Sequence, residues 1–390
     1  REHALVWKFK SDNTKHKIFC APGNPGIKAL AECVTIQANK IQELADFAET
    51  NRIDLTVVGP EDPLSLGIVD VFEKRNLSIF GPNLESARLE GSKAYAKKVM
   101  ERFNVPTASY LEHDDYQQAL NYVKKIGTPI VIKADGLAAG KGVTVAETIE
   151  QAEAALKAAM LDKVFGDSGT KVVIEECLFG EEMTVLAFVD GETVLPMVPS
   201  QDHKPVFDDD RGPNTGGMGA YSPVPHLEKW LPEIERRILR PVAQGLAAEG
   251  KQFNVRFGDP EAQVILPRLE NDLAEVMLAV VEKRLHEIDL SWKPGASVCV
   301  IAAAPGYPGP PTKGLPITLP QSFTGNTQIF HAGTALSNEQ LVTNGGRVFG
   351  VTAQGADIAE ARKHSYGLME EISFEGKHFR TDIAAKALNL

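Results

Sequence analysis

The chain has little of what marks membrane, secreted or nucleic-acid-binding proteins. None of its apolar runs approaches the about 18 residues of a membrane helix, and no signal-peptide pattern is present. Basic runs are also absent, and the formal net charge of -11 argues against dedicated binding of a nucleic-acid backbone. We therefore expect a protein that binds neither membranes nor nucleic acids.

Cysteine is scarce as well. The four cysteines, Cys20, Cys33, Cys177 and Cys299, show no C-x-x-C spacing. Such isolated cysteines are typical of buried thiols in a reducing compartment rather than of a disulfide framework. The sequence therefore predicts a cytoplasmic location.

What is present is an ordinary globular composition in a long chain. Hydrophobic residues make up 43% and charged residues 24%, and the 33 glycines and 24 prolines follow no repeat. Because 390 residues exceed what one hydrophobic core usually supports, we expect two or three packed units. A chain of this size can be a multidomain enzyme.

The first 106 residues alternate helical stretches with short apolar runs. These runs lie at residues 17–20, 55–59 and 77–81, and the last two end in glycine. Short strands separated by helices predict a parallel α/β domain. Ligands of such sheets lie at the carboxyl ends of the strands, which places Gly23 and Glu61 where a small molecule would bind. Turn chemistry alone explains each of these residues about equally well.

The rest of the chain divides into three further segments. Residues 107–174 contain two strands around a glycine-rich turn and an Ala-rich helix, which predict a small α+β lid domain. Residues 175–294 add strands, a glycine-rich loop and a helix over 227–250, and residues 295–390 alternate short strands with glycine-rich turns. The predicted fold class is α/β and α+β multidomain, with domains over 1–106, 107–174, 175–294 and 295–390.

A lysine at the end of an apolar strand precedes a turn of small residues at 133–142. Small side chains let backbone N–H groups approach phosphate oxygens, and Lys133 and Lys141 supply positive charge. The segment is not a P-loop, because Gly136 and Gly140 are too close together and no Ser or Thr follows Lys141. A structural hairpin would explain the glycines but hardly the lysine at the strand end. We therefore predict a phosphate-binding flap.

Neighbouring segments complete a candidate nucleotide site. Lys93 lies near the start of a predicted helix, where the N-terminus favours anions, although a solvated lysine is the simpler interpretation of this residue alone. Residues 172–178 run from a strand into a hinge whose backbone can bind an adenine edge, and Glu182 can accept hydrogen bonds from a ribose. Together these features resemble the nucleotide site of the ATP-grasp superfamily, a core with a small lid. The resemblance implies these ATP-binding residues: Lys93, Lys133, Gly140, Lys141, Gly142, Glu175, Glu176, Leu178 and Glu182.

Two longer segments narrow the resemblance to one family. Residues 200–204, followed by 210–223, and residues 254–263 look like hallmark segments of the glycinamide ribonucleotide synthetases, also called phosphoribosylamine-glycine ligases. Further ordered matches are spread along the chain, at residues 1–5, 21–24, 58–61, 89–93 and 379–383. The chain therefore resembles this family essentially from end to end.

The resemblance implies an enzyme of de novo purine biosynthesis that joins glycine to 5-phosphoribosylamine. ATP would first convert the glycine carboxylate to glycyl phosphate, which the amine then attacks, leaving ADP and phosphate. The implied cofactors are ATP and Mg²⁺ (or Mn²⁺), and we expect a monomer or weak dimer whose partners are these small molecules. Phosphoryl transfer mainly requires positioning and cations, which suits Lys93, Lys133 and the flap around Lys141.

The resemblance also assigns roles to residues. Asn254 would be an oxygen ligand of the metal, and Arg256 would face the reacting carboxylate and its developing oxyanion. The implied catalytic residues are Arg256 and Lys133. The implied substrate-binding residues are Gly23, Glu61, Asp202, His203, Lys204, Thr215, Gly216, Gly217 and Arg256. Simpler interpretations stay open for three neighbours: His203 as a loop histidine, Asp259 as part of a turn, and residues 208–210 as a solvated acidic bend.

The chain departs from the family pattern at two places that bear on the chemistry. The family has a strand and a glycine-rich turn ahead of Arg1, and we expect that segment in a longer form of this protein. It also has two strands ahead of Asn254 that end in a metal-binding glutamate, where this chain has Gln252. We expect this hairpin in a longer form too, because its loss from a sheet would leave backbone groups unpaired.

Two other functions stay open from the sequence. One is that of another ATP-grasp carboxylate-amine ligase or of a biotin-dependent carboxylase subunit, against which segments 202–204 and 256–263 speak. The other is a nucleotide-binding protein without catalysis, which Gln252 motivates.

Overall fold

The computed structural model describes residues 1–136, 142–191, 193–252, 256–322 and 325–388. The chain forms two compact units. The first comprises Arg1–Gly81, Glu182–Pro232 and Arg256–Leu390, and the second comprises Pro82–Glu181 and Glu233–Val255. The chain therefore enters and leaves the second unit twice. Each compact unit is assembled from separate stretches of sequence. The division into four consecutive domains therefore stays a prediction.

The amino-terminal part of the first unit is built from short parallel strands and helices. Its elements are α1 (Glu2–Asp12), β1 (Phe19–Cys20), β2 (Glu32–Cys33), α2 (Ile41–Thr50), β3 (Thr56–Val57), α3 (Glu61–Ser65), α4 (Ile68–Lys74) and β4 (Ile79–Phe80). Strand β1 pairs in parallel with β2, and β3 pairs in parallel with β4. The parallel arrangement predicted from the sequence is thereby confirmed. Gly23 follows β1, and Glu61 begins α3, so both lie beyond the carboxyl end of a strand.

The remainder of the first unit is mostly antiparallel sheet. Its elements are β9 (Ala187–Val189), β10 (Val194–Pro196), β11 (Gln201–Asp202), β12 (Pro205–Phe207), β13 (Arg211–Asn214), β14 (Gly219–Ser222), α11 (Ala262–Ile265), α12 (Leu273–Val281), β15 (Ala296–Ala303), β16 (Thr327–His331), β17 (Thr334–Ser337), β18 (Gln340–Thr343), β19 (Arg347–Gly355) and α13 (Ile358–Glu371). Five strands form one sheet in the order β11-β14-β15-β19-β16, with antiparallel neighbours throughout. Every residue of β15 is buried, which explains its uninterrupted apolar sequence.

Two large apolar cores are among those that stabilise the described part of the first unit. One is formed around α12 and includes Leu273, Met277 and Phe330. The other lies against the five-stranded sheet and includes Val300 and Met369. Burial of these side chains is the main favourable contribution to folding of the unit.

The second unit is a small α+β structure. Its elements are α5 (Leu84–Gly91), α6 (Lys93–Arg102), β5 (Tyr110–His113), α7 (Tyr116–Ile126), β6 (Ile130–Ala134), β7 (Val143–Ala146), α8 (Ile149–Leu156), β8 (Val172–Glu176) and α10 (Arg240–Ala248), with the short helix α9 (Leu231–Ile234) at its boundary. The strands form one antiparallel sheet in the order β5-β8-β6-β7. Helices α7 and α8 contribute Val123 and Leu156 to a core that also contains Ile132 and Ile174 of the sheet.

The predicted flap arises from the hairpin of β6 and β7. Lys133 is the register partner of Val143, so the two strands come together at the flap as the sequence predicted. Residues 137–141 at its tip, including Gly140 and Lys141, lie outside the described residues. The structure therefore describes the base of the flap and not its tip.

The helix predicted over residues 227–250 is present over residues 228–248, but it is not one regular α-helix. A 3₁₀ turn at Glu228–Trp230 leads into α9, and a π-helical turn at Glu235–Leu239 separates α9 from α10. Pro241 lies in the first turn of α10. Proline lacks a backbone N–H donor and interrupts the regular hydrogen-bond pattern, which accounts for the π-helical turn ahead of α10.

In the part of the chain that the structure describes, every helix is too short or too polar to cross a membrane.

Candidate active site

Lys133 shares a carboxylate with a second lysine. Its Nζ lies 2.9 Å from Oε2 of Glu175 on the neighbouring strand β8, and Nζ of Lys97 on α6 lies 3.1 Å from the same oxygen. Glu175 and Lys97 are each 5% exposed, whereas the Lys133 side chain keeps 28% of its surface open. Two lysines on one carboxylate leave a net positive charge. The accessible member, Lys133, is therefore suited to an anionic ligand such as a phosphate.

Lys93 lies beside an aspartate that caps its helix. The Oδ1 of Asp135 accepts hydrogen bonds from the Ser92 hydroxyl, at 3.0 Å, and from the Ala94 N–H, at 2.7 Å. The Nζ of Lys93 donates to the Gly136 carbonyl at 3.0 Å, so helix α6 and the base of the flap are joined by several bonds. The N-terminus of α6, which the sequence suggested for an external anion, is thus occupied by the carboxylate of Asp135.

The other predicted ATP-binding residues have differing environments. The Gly142 carbonyl accepts from the Ala134 N–H at 2.8 Å, and Glu176 accepts from the Ser109 N–H at 2.8 Å. Leu178 is 67% exposed, as a hinge residue that contacts a ligand would be before binding. Glu182 belongs to the first unit rather than the second, and there it pairs with Lys204.

Lys204 is surrounded by acidic groups. Its Nζ lies 2.9 Å from Asp202 Oδ1 and 3.1 Å from Glu182 Oε2. Burial would lower the pKa of Lys204, but the two carboxylates raise it well above the ordinary value. The ammonium group therefore stays charged over the whole physiological range. This pairing brings together two residues predicted for substrate and one predicted for ATP.

His203 lies in the interior. It is 3% exposed, and its ring packs against Tyr221 at a centroid distance of 6.0 Å. Burial, with a further contribution from the charge on Arg380, lowers the pKa of His203 to about 4, so the imidazole is neutral at pH 7. These features favour the simpler interpretation of His203, and its role as a substrate ligand stays a prediction.

The loop of Thr215, Gly216 and Gly217 uses much of its polar surface internally. The N–H and the hydroxyl of Thr215 both donate to the Lys204 carbonyl at 2.8 Å. The Gly216 N–H donates to the Tyr307 hydroxyl at 3.0 Å, and the Gly217 N–H donates to Thr215 Oγ1 at 2.9 Å. These bonds fix the loop and the backbone of Lys204. Substrate contact by the loop itself stays a prediction.

Arg256 is oriented by an acidic partner. Its Nε lies 3.0 Å from Glu61 Oε2, and its Nη1 donates to the Phe257 carbonyl at 3.1 Å. Glu61 also lies 3.6 Å from the Arg1 guanidinium, so one carboxylate holds two arginines. Two predicted substrate residues, Glu61 and Arg256, are therefore in direct contact although 195 positions separate them in sequence.

Position 23 requires a glycine because of its backbone conformation and because no side chain fits there. Its φ is +76°, and an added Cβ would lie 2.5 Å from Sγ of Cys33. A side chain at this position would meet both backbone strain and a steric clash. This requirement is structural, and a substrate contact at Gly23 stays a prediction.

The interpretation of residues 208–210 as a merely solvated bend is wrong. Asp208 accepts from the Thr381 N–H at 2.8 Å, and Asp210 accepts from Arg380 at 2.9 Å. Arg380 is fully buried and also binds Asp382 at 2.6 Å. The bend is therefore anchored to the carboxy-terminal segment, which fixes the hairpin between Lys204 and Thr215.

Four residues near the predicted sites were given no site role by the sequence interpretation: Lys97, Asp135, Asp259 and Arg347. Lys97 follows Lys93 by four positions, which places both on one helix face, and Asp135 lies within the flap sequence itself. Those spacings were usable signals. Arg347 had none, because it approaches Asp259 only through the tertiary fold, with Nη2 2.8 Å from Asp259 Oδ2.

A metal site is not supported by the described side chains. Among them, no group of three or more His, Cys, Asp or Glu residues is arranged to hold a cation. Gln252 occupies the place where the family pattern has a glutamate, and an amide lacks the charge that a hard divalent cation favours. The predicted ligand Asn254 lies outside the described residues. The described residues therefore do not by themselves supply a divalent-cation site.

All four cysteines are free thiols. Cys299 is buried and the other three are partly buried. Burial is the main cause that raises the pKa of Cys20 and of Cys299, each to about 12, so these two groups stay protonated thiols.

Three family models match the chain along most of its length. Phosphoribosylglycinamide synthetase is matched by its N domain over residues 1–90, by its ATP-grasp (A) domain over 91–255 and by its C domain over 297–386. The matches follow one another in the order that the sequence resemblance implied.

Relatives and solved structures agree with these matches. The phosphoribosylamine–glycine ligase of Caldanaerobacter subterraneus subsp. tengcongensis is 46% identical over 410 residues, which cover 99% of this chain and 97% of that protein. The crystal structure of phosphoribosylamine–glycine ligase from Thermotoga maritima aligns with a TM-score of 0.82 at 33% identity, covering 98% of this chain and 97% of that one. The predicted fold class is confirmed by this likeness.

A biotin carboxylase also shares the fold. The enzyme from Campylobacter jejuni aligns with a TM-score of 0.74 over 99% of this chain and 93% of that one, but at 16% identity. A likeness at so low an identity concerns the fold alone.

Proposed function

The chain belongs to the phosphoribosylglycinamide synthetase family, and from that membership we propose that it ligates glycine to 5-phosphoribosylamine and converts ATP to ADP and phosphate. The product is glycinamide ribonucleotide, an intermediate of de novo purine biosynthesis. The observation that carries the proposal is the lysine pair held on Glu175 within the matched ATP-grasp domain. It supplies a fixed positive group of the kind that phosphoryl transfer requires.

The reaction proceeds in two displacements. A carboxylate oxygen of glycine attacks the γ-phosphorus of ATP, the bond to the β,γ-bridging oxygen breaks, and ADP leaves with glycyl phosphate formed. The amine of phosphoribosylamine then attacks the acyl carbon, inorganic phosphate leaves, and the amine loses one proton to give the amide. Activation is needed because a carboxylate is a poor electrophile.

The chain's cations are proposed to act in these two steps. Lys133, with Lys93, is placed for the ATP phosphates, whose negative charge must be met during transfer. Arg256 is assigned to the glycine carboxylate and to the oxyanion that develops at the acyl carbon, since a guanidinium fork matches that geometry. Its contact with Glu61 supports this role, because an arginine already fixed in place loses little entropy on binding.

Lys204 is proposed to help hold phosphoribosylamine and glycine, together with Asp202. Its ammonium group is kept charged by Asp202 and Glu182, and its side chain is 46% exposed. The Thr215–Gly217 loop supports its backbone. His203 is proposed to shape this region, and Gly23 the amino-terminal part of the substrate site, rather than to donate to the ligand.

The remaining assignments rest on the family resemblance. We propose Mg²⁺, with Mn²⁺ as the alternative, as the divalent partner of ATP, because phosphate oxygens are hard ligands. A monomer or weak dimer and a cytoplasmic location are likewise proposals. Free cysteines favour such a location.

ADP release in the presence and absence of glycine tests the proposed function. We expect release to require both glycine and phosphoribosylamine, and Lys133→Ala and Arg256→Ala each to lower kcat by about 10²- to 10³-fold. The same substitution at the exposed residues Lys98 and Arg284 should change turnover less than about twofold.

Two outcomes would contradict the proposal. ADP release at the same rate without glycine would point to another acceptor. Nucleotide binding with no release under any of these conditions would favour the non-catalytic alternative that Gln252 raised.

A further inference from the structure

Arg347 joins two segments that carry predicted substrate residues. It is the first residue of β19, and its guanidinium Nη1 donates to the carbonyls of Gly216 and of Asp259, the latter at 3.0 Å. Its Nη2 lies 2.8 Å from Asp259 Oδ2. One planar group thus binds the glycine loop on one side and the turn that follows Arg256 on the other.

The glycine loop is shaped around this guanidinium. An added Cβ at Gly216 would lie 3.1 Å from Cζ of Arg347, so the loop backbone rests directly on the arginine. Gly217 has a φ of +105°, and a Cβ there would lie 2.5 Å from Cδ of Pro260. Side chains at both positions would push the loop away from Arg347 and from the Asp259 turn. The close approach gives the two glycines a structural purpose.

Asp259 completes the connection on the other side. Its carboxylate accepts from Gln263 Nε2 at 2.7 Å in addition to its contact with Arg347. Burial alone would raise the pKa of Asp259, but the nearby guanidinium of Arg347 holds it well below its ordinary value. Asp259 therefore stays an anion at neutral pH, and the pair persists as an ion pair with two hydrogen bonds and little exposure.

Each side of this connection leads to a residue assigned to substrate. On one side Gly216 follows Thr215, whose N–H and hydroxyl bind the Lys204 carbonyl. On the other side Asp259 lies three positions after Arg256, whose Nη1 binds the Phe257 carbonyl. A shift of Arg347 would therefore move the backbone segments that position Lys204 and Arg256.

We propose that Arg347 is a positioning residue that clamps the Gly216–Gly217 loop to the Asp259 turn and thereby sets the separation of Lys204 and Arg256. The proposal rests on the proposed function, since it concerns how phosphoribosylamine and glycine are held relative to each other. Lysine cannot replace Arg347, because a single ammonium group cannot bind a carboxylate and two carbonyls in one plane.

The test compares Arg347→Met and Arg347→Lys with the wild-type enzyme. In Arg347→Met, we expect KM for glycine and for phosphoribosylamine to rise by roughly 10- to 100-fold, because a displacement on the order of 1 Å suffices for such losses. KM for ATP should stay within about twofold, because the hydrogen bonds of Arg347 among the described residues go to Gly216, Gly217 and Asp259, none of which is assigned to ATP. Arg347→Lys should recover thermal stability more fully than it recovers KM.

A matched control is available in the same unit. Arg268 is buried and donates to the Ser222 hydroxyl at 2.9 Å, and among the described residues its hydrogen bonds involve none assigned to substrate. Arg268→Lys should lower the melting temperature while leaving every KM unchanged. Wild-type KM values in Arg347→Met, with only a lower melting temperature, would overturn the positioning role.

Amide hydrogen exchange tests the clamp independently of enzyme turnover. Peptides covering residues 215–219 should lose protection in Arg347→Met and keep it in Arg268→Lys. Unchanged protection in Arg347→Met would overturn the clamp even if the enzyme were inactive. Absence of glycine-dependent ADP release in the wild type would instead count against the proposed function, so the two failures are distinguishable.

Discussion

Single carboxylates in this protein each hold two cations. Glu175 binds Lys97 and Lys133, and Glu61 lies beside Arg1 and Arg256. Each carboxylate fixes its two cations. Glu175 neutralises only half of the charge of its two lysines, whereas Arg1 beside Glu61 is also paired with Glu2. The excess positive charge at Glu175 supports the proposed binding of phosphate by Lys133, a side chain whose freedom has already been restricted.

The buried imidazole of His203 predicts a pH dependence of stability. Its pKa is about 4 in the folded chain and ordinarily 6.5, so as the pH falls below 6.5 the unfolded chain takes up a proton that the folded chain does not. The free energy of unfolding should therefore fall from pH 6.5 to 4, with His203 contributing up to about 1.4 kcal/mol per pH unit. Chemical denaturation at several pH values measures this slope, and His203→Gln should reduce it.

A histidine at the surface provides the control for this measurement. The His286 side chain is 66% exposed, and His286→Gln should leave the slope as in the wild type. An unchanged slope in His203→Gln would mean that the buried ring is protonated within the folded protein.

At the scale of elements, Asp135 adds to the cap that Ser92 provides for helix α6 and joins this helix to the base of the flap. Asp135 follows strand β6 and accepts hydrogen bonds at the start of α6, while Lys93 donates back to Gly136. The strand that carries Lys133 is therefore tied to the helix that carries Lys93 and Lys97. This arrangement lets a turn residue set the position of three lysines.

Asp135→Ala should weaken both the cap and nucleotide binding. Loss of these bonds should lower the free energy of unfolding by about 1 kcal/mol, and KM for ATP should rise severalfold because helix α6, which carries Lys93, is less firmly joined to the base of the flap. Asp115→Ala removes an equivalent cap, whose side chain accepts from the Gln118 N–H at the start of α7. It should lower stability by a similar amount with KM for ATP unchanged. Equal KM values in both variants would show that the Asp135 cap has no part in nucleotide binding.

At the scale of the whole molecule, each unit has a core of its own. Leu273 belongs to a core of the first unit and Leu156 to a core of the second, and both are fully buried. Multidomain chains often unfold in more than one cooperative step. Separate cores therefore predict two transitions in calorimetry.

Leucine truncation in each core tests the two transitions. Leu156→Ala should lower the stability of one transition by about 2–5 kcal/mol, and Leu273→Ala should do the same to the other. The two substitutions remove the same atoms from equally buried sites, so each serves as the control for the other. A single transition that both variants shift alike would contradict separate unfolding.

Much of the local structure around the predicted nucleotide-binding residues was predictable from the sequence. The strands at 130–134 and 172–176, and the helix that begins at Lys93, follow patterns of apolar residues and caps that act within a few positions. The family resemblance added Arg256 and Lys204, which carry no local signal. It did not indicate that Asp208 and Asp210 are anchored by Thr381 and Arg380.

The sequence by itself determined which segments form strands and helices, and it identified the family, because periodicity, turn residues and ordered motifs are properties of neighbouring positions. Only the tertiary structure decided which charges meet. The contacts of Lys97 with Glu175 and of Arg347 with Asp259 join positions far apart in the chain, and Arg347 has no spacing pattern that marks it. Burial and pairing depend on the three-dimensional neighbours of a group, and these are set by how the elements pack.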